Sequence, residues 1–276
     1  MMRNTESIGP RFPDNAFAGT AAYYVRYRLP YPEILLKDLM DRSGAPGPSR
    51  LLDLACGPGR LTLRLAPFFS EVWAVDLEPE MIEAARHQAD RLGVTNIQWK
   101  VGRAEELDAP PGSFGLITMG EAFHRLDQPR VAAQGFRWLS PGCCLASLGS
   151  YSVFGGSEPW QRIVLDVVRR WSNRLSPDAG ASTLGAERGG PDDQERALRE
   201  AGFVDVARPI FLVAHEWTVD SILGFLYSTS VSSKAVLGEN VKAFEDDLRS
   251  ALMTHDPGGI YRETTQWGYT LARKPA

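Results

Sequence analysis

The chain has 276 residues, 43% of them hydrophobic and 23% charged, which is enough apolar material for a sizeable buried core. Its 30 basic and 34 acidic residues give a net charge of -4 with no long basic block, so neither nucleic acid nor an anionic membrane surface is an expected partner. Four histidines without ligand spacing, and Cys56, Cys143 and Cys144 without a C-x-x-C pattern, predict no metal site and the reduced thiols of a cytoplasmic protein.

The first 20 residues are rich in Gly, Pro and Asn and read as a loose end, with no apolar signal core. No apolar run approaches the ~20 residues that span a bilayer. Ile34, Leu35 and Leu39 recur at helical spacing between Pro32 and Arg42, and Ser43–Ser49 then breaks structure. From residue 50 short apolar runs alternate with helical patterns. Strands are expected at Leu51–Leu54, Val72–Val75, Ile97–Val101, Leu116–Met119 and Cys144–Leu148, with helices over Arg60–Pro67 and from Glu80 to Leu92. That alternation implies parallel pairing with right-handed crossovers, an α/β doubly wound sheet with helices on both faces.

Beyond residue 150 the rhythm changes. Trp160, Ile163, Val164, Val167 and Trp171 mark one face of a helix, and the glycine-rich Ser176–Asp193 reads as loose. A short helix to Ala201, a strand at Ile210–Val213, a helix from Val241 to Leu252 and a strand at Thr265–Leu271 follow. The expected organisation is an N-terminal cap over residues 1–45, a core over 46–150, a cap insertion over 151–205, and a C-terminal part, 206–276, completing sheet and cap.

The chemistry is concentrated in the core. Leu51-Leu-Asp-Leu-Ala-Cys-Gly-Pro-Gly-Arg-Leu-Thr62 is a strand, a glycine turn and a helix start. Such a turn is either a plain connection or a ligand loop, in which Gly57 admits a close backbone approach and the helix presents unpaired N–H groups. Asp76 ends the next strand, 17 positions after Gly59. A carboxylate there can accept both hydroxyls of an adenosine ribose, or it can cap the following turn. A dinucleotide oxidoreductase would need a third glycine where Thr62 stands.

Asp53–Gly59, Val75-Asp76, Gly102–Leu107, Ser113–Ile117 and Ala122-Phe-His124 fall in order over residues 50–150 and resemble the class I S-adenosylmethionine methyltransferases. More narrowly they are similar to the small-molecule branch that includes ubiquinone and menaquinone methyltransferase-like proteins (type 11). The resemblance implies a Rossmann-like sheet of seven strands, the last antiparallel, with a helical cap. It implies methyl transfer from S-adenosyl-L-methionine to a small-molecule acceptor through an oxygen, nitrogen or carbon nucleophile. A cofactor-binding protein, or a non-methylating enzyme such as a cyclase on the same fold, is the alternative. No oligomeric state follows.

Residue by residue, the resemblance implies that Ala55 and Gly57 offer backbone to the methionine part, and that Asp53 holds the loop and meets the amino group. It places Asp76 on the ribose, Leu77 against the adenine, Ala104 and Glu105 at the adenine edge, and Gly120 and Glu121 beneath the sulfonium. Tyr24 and Arg28 sit one helical turn apart in a segment similar to the family's entry helix. They read either as a flap, with Arg28 on the cofactor carboxylate and Tyr24 or Tyr27 over the donor, or as a solvated face. Arg103 and Gly115 stand where the family commonly has Asp, and Arg125 where Trp is frequent. His124 is the candidate catalytic base, its reference pKa near 6.5 leaving it largely neutral at pH 7; packing in the pocket wall is its other reading. Trp160, Trp171, Phe225 and Tyr227 are expected to be divided between core and substrate cage.

Overall fold

Strands whose middles are mostly apolar, as at Leu51–Leu54 and Val72–Val75, have no face to give to solvent, and β1 (Arg50–Leu54) and β2 (Glu71–Asp76) lie inside a sheet covered on both sides. In the computed structural model, which describes residues 17–45, 47–175 and 190–276, they pair in parallel with β3 (Ile97–Val101), β4 (Phe114–Gly120) and β5 (Leu139–Tyr151) in the order 3-2-1-4-5. The expected looseness of the N-terminal end concerns mainly residues 1–16, and that of Ser176–Asp193 mainly residues 176–189, both outside the described residues. β8 (Ile260–Arg273) lies antiparallel beside β5, and β6 (Val204–Ala207) and β7 (Ile210–Thr218) both pair with it. The sheet is therefore mostly parallel with its last strand reversed. It counts eight strands rather than seven because Arg208-Pro209 divides the sixth position in two. Proline has no N–H to give to a ladder, so pairing lapses at Arg208-Pro209 and resumes at Ile210 in the register that Ala207 already holds against β8.

Successive residues of a strand point to opposite faces, and the two cores separate accordingly. Leu51, Val72, Leu116, Cys144 and Leu148 face one side, in one cluster with α2 (Glu33–Ser43), α6 (Pro159–Leu175), α8 (Val219–Tyr227) and α10 (Val241–His255). Leu52, Leu54, Ile117, Met119, Cys143 and Leu145 face the other, with α5 (Gln128–Trp138) and α7 (Pro191–Glu200). The adjacent thiols Cys143 and Cys144 thus sit on opposite faces as expected, and all three cysteines are free and buried.

Helix boundaries follow local chemistry. α4 (Pro79–Leu92) opens on a proline at its first position and closes at Gly93 in the left-handed conformation. α8 opens on a reciprocal cap between Thr218 and Ser221. The helix expected over Arg60–Pro67 is shorter: α3 (Thr62–Leu65) passes into a 3-10 turn containing Pro67. α1 (Ala21–Tyr27) buries none of its residues. It leans on α8 through the Tyr23 and Tyr227 rings, 5.3 Å apart, and through the Tyr27 ring, which fills the place of a side chain at Gly224. Trp160, Trp171 and Tyr227 are buried, each with its polar atom bonded: to Arg262 O (3.0 Å), Asp247 Oδ2 (2.8 Å) and Glu245 Oε1 (2.8 Å). These three belong to the core, and only Phe225 of the expected four reaches the site described below.

A buried carboxylate ties this half of the molecule together. Glu263 accepts from Trp217 Nε1 at 3.0 Å and Thr265 Oγ1 at 2.6 Å, and also from Ser152 Oγ and Gln161 Nε2. Its donors come from β7, β8, the turn after β5, and α6. Replacing it leaves several buried donors without an acceptor, each costing ~1–3 kcal/mol. We expect Glu263→Ala to lower the unfolding free energy by at least about 3 kcal/mol in urea titrations, and an exposed control, Glu239→Ala, to change it by less than about 0.5 kcal/mol.

Candidate active site

The strand order reverses between β1 and β4, and a crevice opens where their carboxyl ends diverge. Asp53 and Thr118 are register partners at that point. The Asp53 carboxylate is fully buried and accepts from Thr118 Oγ1 at 2.8 Å and from Thr62 Oγ1, which tethers β1 to β4 and to α3. Burial pushes its pKa up to about 6, against the pull of the two hydroxyls. With a hydroxyl on each oxygen, Asp53 braces the loop from inside the sheet.

Beyond Asp53 the chain turns sharply. Ala55 has φ 52° and Gly57 φ 55°, and nothing lies within 4 Å of the place where a side chain on Gly57 would stand. A ligand can therefore settle onto this backbone. Asp76 closes the turn from the end of β2: one oxygen accepts from Gly57 N at 2.7 Å, the other from Glu78 N at 2.9 Å. The carboxylate thus braces the turns on both sides of it, and it is half-buried at the crevice with its pKa raised by burial. Leu77 follows it, half-buried. Gly102 N donates to Asp76 O at 2.9 Å and brings buried Ala104 alongside. The Glu105 carboxylate is committed to Asp127 N (3.1 Å), where it braces the start of α5. Arg103, in the position of the family's Asp, lies 3.9 Å from Glu106.

At the end of β4, Glu121 has φ 57° and accepts from Ser150 Oγ at 2.6 Å. Burial raises its pKa, while the Ser150 bond and the charges of Arg28 and Arg60 oppose the shift. A side chain on Gly120 would collide with the Tyr31 hydroxyl, so the phenol lies directly on the floor formed by the strand end. Tyr31 is buried, which holds its pKa well above the ordinary value, with Glu121 adding to the effect. Arg60 bonds to the Leu29 carbonyl beneath it. Arg28 is held between the rings of Tyr24 and Phe225, 4.8 and 4.7 Å from their centres, and donates to Ser228 Oγ at 2.8 Å. Tyr24 and Arg28 are in contact with each other, whereas Tyr27 packs on α8.

Tyr31, Arg60 and Ser228 were missed in the sequence. The first had a signal, a tyrosine fixed between Pro30 and Pro32, and the second was a lone cation directly after Gly-Pro-Gly. Ser228 lies 200 positions from Arg28, and no local pattern announces the pair.

His124 lies in a short turn after β4 and lines a groove of about 260 Å³ with Glu121, Ser150, Gln194, Ile210 and Gln266. Burial pushes its pKa down to about 4, assisted by Arg125 and Arg28. The imidazole is therefore neutral as expected, but far less basic than its reference value suggested. Among the described residues no group of His, Cys, Asp and Glu could hold a metal ion, and no helix is long and apolar enough to cross a membrane.

Residues 51–142 match the model of a methyltransferase domain family. The chain is 36% identical over 85 residues to an uncharacterised methyltransferase of Bacillus subtilis, covering 31% of this chain and 34% of that one. It is 32% identical over 125 residues to the ubiquinone biosynthesis O-methyltransferase of Xanthomonas euvesicatoria, covering 45% of this chain and 46% of the relative. The chain thus spans between a third and a half of the length of these two relatives. The crystal structure of the Bacillus protein superposes with a TM-score of 0.56 at 17% identity, over 87% of this chain and 98% of that one, and shares the fold.

The sign of the His124 shift sets a pH dependence. Its pKa is lower in the folded than in the unfolded chain, so the unfolded state takes the proton first as pH falls. Stability from keeping His124 neutral is complete above about pH 6.5 and drains away between there and about pH 4. In the native protein its ring C–H resonances should stay flat from pH 8 to about 5.5, and His124→Gln should flatten the acid loss of stability. Titration of His124 near pH 6.5 in the native state would contradict its burial between the arginines.

Proposed function

We propose that the chain is a class I S-adenosylmethionine methyltransferase that transfers a methyl group from S-adenosyl-L-methionine to a small-molecule acceptor by in-line displacement, a reading supported by the match of residues 51–142 to a methyltransferase domain family. The observation that carries the proposal is the meeting of Asp76 with the open turn at Gly57 on the carboxyl edge of the switch point. The residues present fit this methyl donor. Asp76 spends one lone pair per oxygen on backbone N–H groups, which leaves acceptor capacity for two ribose hydroxyls. Ala55 and Gly57 present backbone to the methionine part, and Leu77, Ala104 and the Glu105 backbone border the adenine. Glu121 suits an ammonium above Gly120, and Arg28 suits a carboxylate. A bound donor supplies an electrophilic methyl on a sulfonium.

The chain's own contribution is then positioning and exclusion of water, because displacement needs reacting atoms aligned within about 3–3.5 Å more than it needs acid–base machinery. We assign the described residues 17–45, 151–175 and 190–205, together with α8, to the cover over the site. The acceptor would occupy the groove beside Glu121 and His124. Two features favour a small acceptor over nucleic acid: the small volume of that groove, about 260 Å³, and the net charge of -4. A base with a pKa of about 4 takes a proton poorly at pH 7, so His124 is assigned to orienting the acceptor through its neutral ring.

Asp76→Ala should weaken S-adenosylhomocysteine binding by at least about tenfold, the equivalent of ~1.4 kcal/mol, with Asp76→Asn as a variant that keeps an oxygen for Gly57 N–H. Unchanged affinity in calorimetry on a folded variant would remove the ribose assignment. On the true acceptor at saturating cofactor, His124→Ala should reduce turnover by less than about a hundredfold and mainly raise the acceptor KM. A larger loss in kcat with cofactor affinity preserved would return His124 to the role of general base.

A further inference from the structure

Four tyrosines are buried among the described residues: Tyr31, Tyr227, Tyr261 and Tyr269. Three of them bond their hydroxyls inside the protein. Tyr227 donates to Glu245 Oε1 at 2.8 Å, Tyr261 to the Asp256 carbonyl at 3.3 Å, and Tyr269 to Asp38. Tyr31 is the exception. It is 8% exposed, and its hydroxyl makes no hydrogen bond to any described residue. A buried phenol without a partner forfeits the bonds it made to water, which is why buried tyrosines usually find one.

The surroundings fix that hydroxyl in place. Tyr31 stands between Pro30 and Pro32, which restrict the backbone on either side. Its ring packs on Trp267 with centres 5.3 Å apart, and the Arg60 guanidinium lies 6.0 Å from the ring centre. The oxygen reaches the end of β4, where it occupies space that a side chain on Gly120 would need. Gly120 does not have a positive φ, so its backbone conformation does not call for glycine; the approach of the phenol does.

Burial first, and then the Glu121 charge, hold the Tyr31 pKa well above its ordinary value. At neutral pH the hydroxyl therefore keeps its proton and both lone pairs, all of them unused. Glu121 is the anion that acts on it most, ahead of the Arg60 cation. A partner arriving at this oxygen meets a negative neighbour, which suits a cation better than a carboxylate. Glu121 lines the groove assigned to the acceptor and Tyr31 does not, which puts the phenol on the donor side of that carboxylate.

We propose that the Tyr31 hydroxyl binds the ammonium of the methyl donor, sharing it with Glu121, and so makes the segment after α1 part of the donor site. The inference rests on the methyltransferase reading above and adds to it a residue that fixes the methionine end of the donor. An ammonium carries three N–H donors and no acceptor. A lone pair of the neutral phenol takes one and the Glu121 carboxylate another, and the buried setting strengthens both bonds. The contribution is positional: with that end held over Gly120, the methionine chain and its sulfonium have a fixed place above the end of β4.

Three ligands test this, titrated calorimetrically into the full chain and into Tyr31→Phe, which keeps the ring against Trp267. S-adenosylhomocysteine carries both ammonium and carboxylate, S-adenosyl-3-thiopropylamine the ammonium alone, and 5′-methylthioadenosine neither. We expect Tyr31→Phe to weaken the first two by about tenfold or more and to leave the third within about twofold. The ligand-free melting temperature should not fall, because the hydroxyl has no internal bond to lose. A loss confined to S-adenosylhomocysteine assigns the hydroxyl to the carboxylate and overturns the proposal. An equal loss for all three ligands, or unchanged affinity for all three, overturns it too. So does a ligand-free melting temperature lowered by more than about 3 °C, which would mark a structural role. Failure of the wild-type chain to bind S-adenosylhomocysteine at all is the separate result that removes the methyltransferase reading beneath it.

Discussion

The Asp53 carboxylate is the constraint from which the site is built. It lies fully buried where β1 and β4 part, and Thr62 and Thr118 bond its two oxygens. Without that tether the end of β1 would have no fixed relation to α3, and the turn through Ala55 and Gly57 would have no fixed anchor. Asp76 then holds the turn from its other side through Gly57 N. Two acidic residues one strand apart thus divide the work: the buried one fixes the frame, and the half-buried one holds the turn at the edge of the crevice. The raised pKa of Asp53 records what its burial costs, and the two hydroxyls offset part of that cost.

What was legible in the sequence is what is local. The glycine turn, the carboxylate at the end of β2 and the apolar strands are set by neighbours within a few residues, and the structure brings Asp53, Gly57 and Asp76 together as their spacing implied. α8 was not legible, because the run Ile222–Leu226 is apolar on every side and carries neither period. The division into β6 and β7 was missed although Pro209 announced it, since a proline can mark an edge strand as well as a break. The Arg28–Ser228 and Ser152–Glu263 pairs are separated by 200 and 111 positions, so only the closed fold specifies them. His124 illustrates the same limit in electrostatics. Its identity set the reference pKa, but its place between burial and two arginines set the value of about 4.

The charge distribution of the site is uneven for a related reason. Carboxylates lie on the sheet side at Asp53, Asp76 and Glu121, while the guanidiniums of Arg28, Arg60 and Arg125 come from the segment after α1, the glycine turn and the turn after β4. A donor molecule with a polar sugar at one end and a zwitterion at the other matches that gradient along the crevice.

Glu263 and α1 together determine how the enclosure can open. Four donors on one carboxylate lock α6, β7, β8 and the turn after β5 into a single stiff block, since shifting any one of them would break a buried bond. α1 has no buried residue and rests on α8 through ring edges and the bonds of Arg28. Compliance is therefore concentrated at one wall. A molecule entering or leaving would meet its lowest mechanical resistance there, with α1 swinging as a door hung on Pro30-Tyr31-Pro32 while the opposite wall stays still.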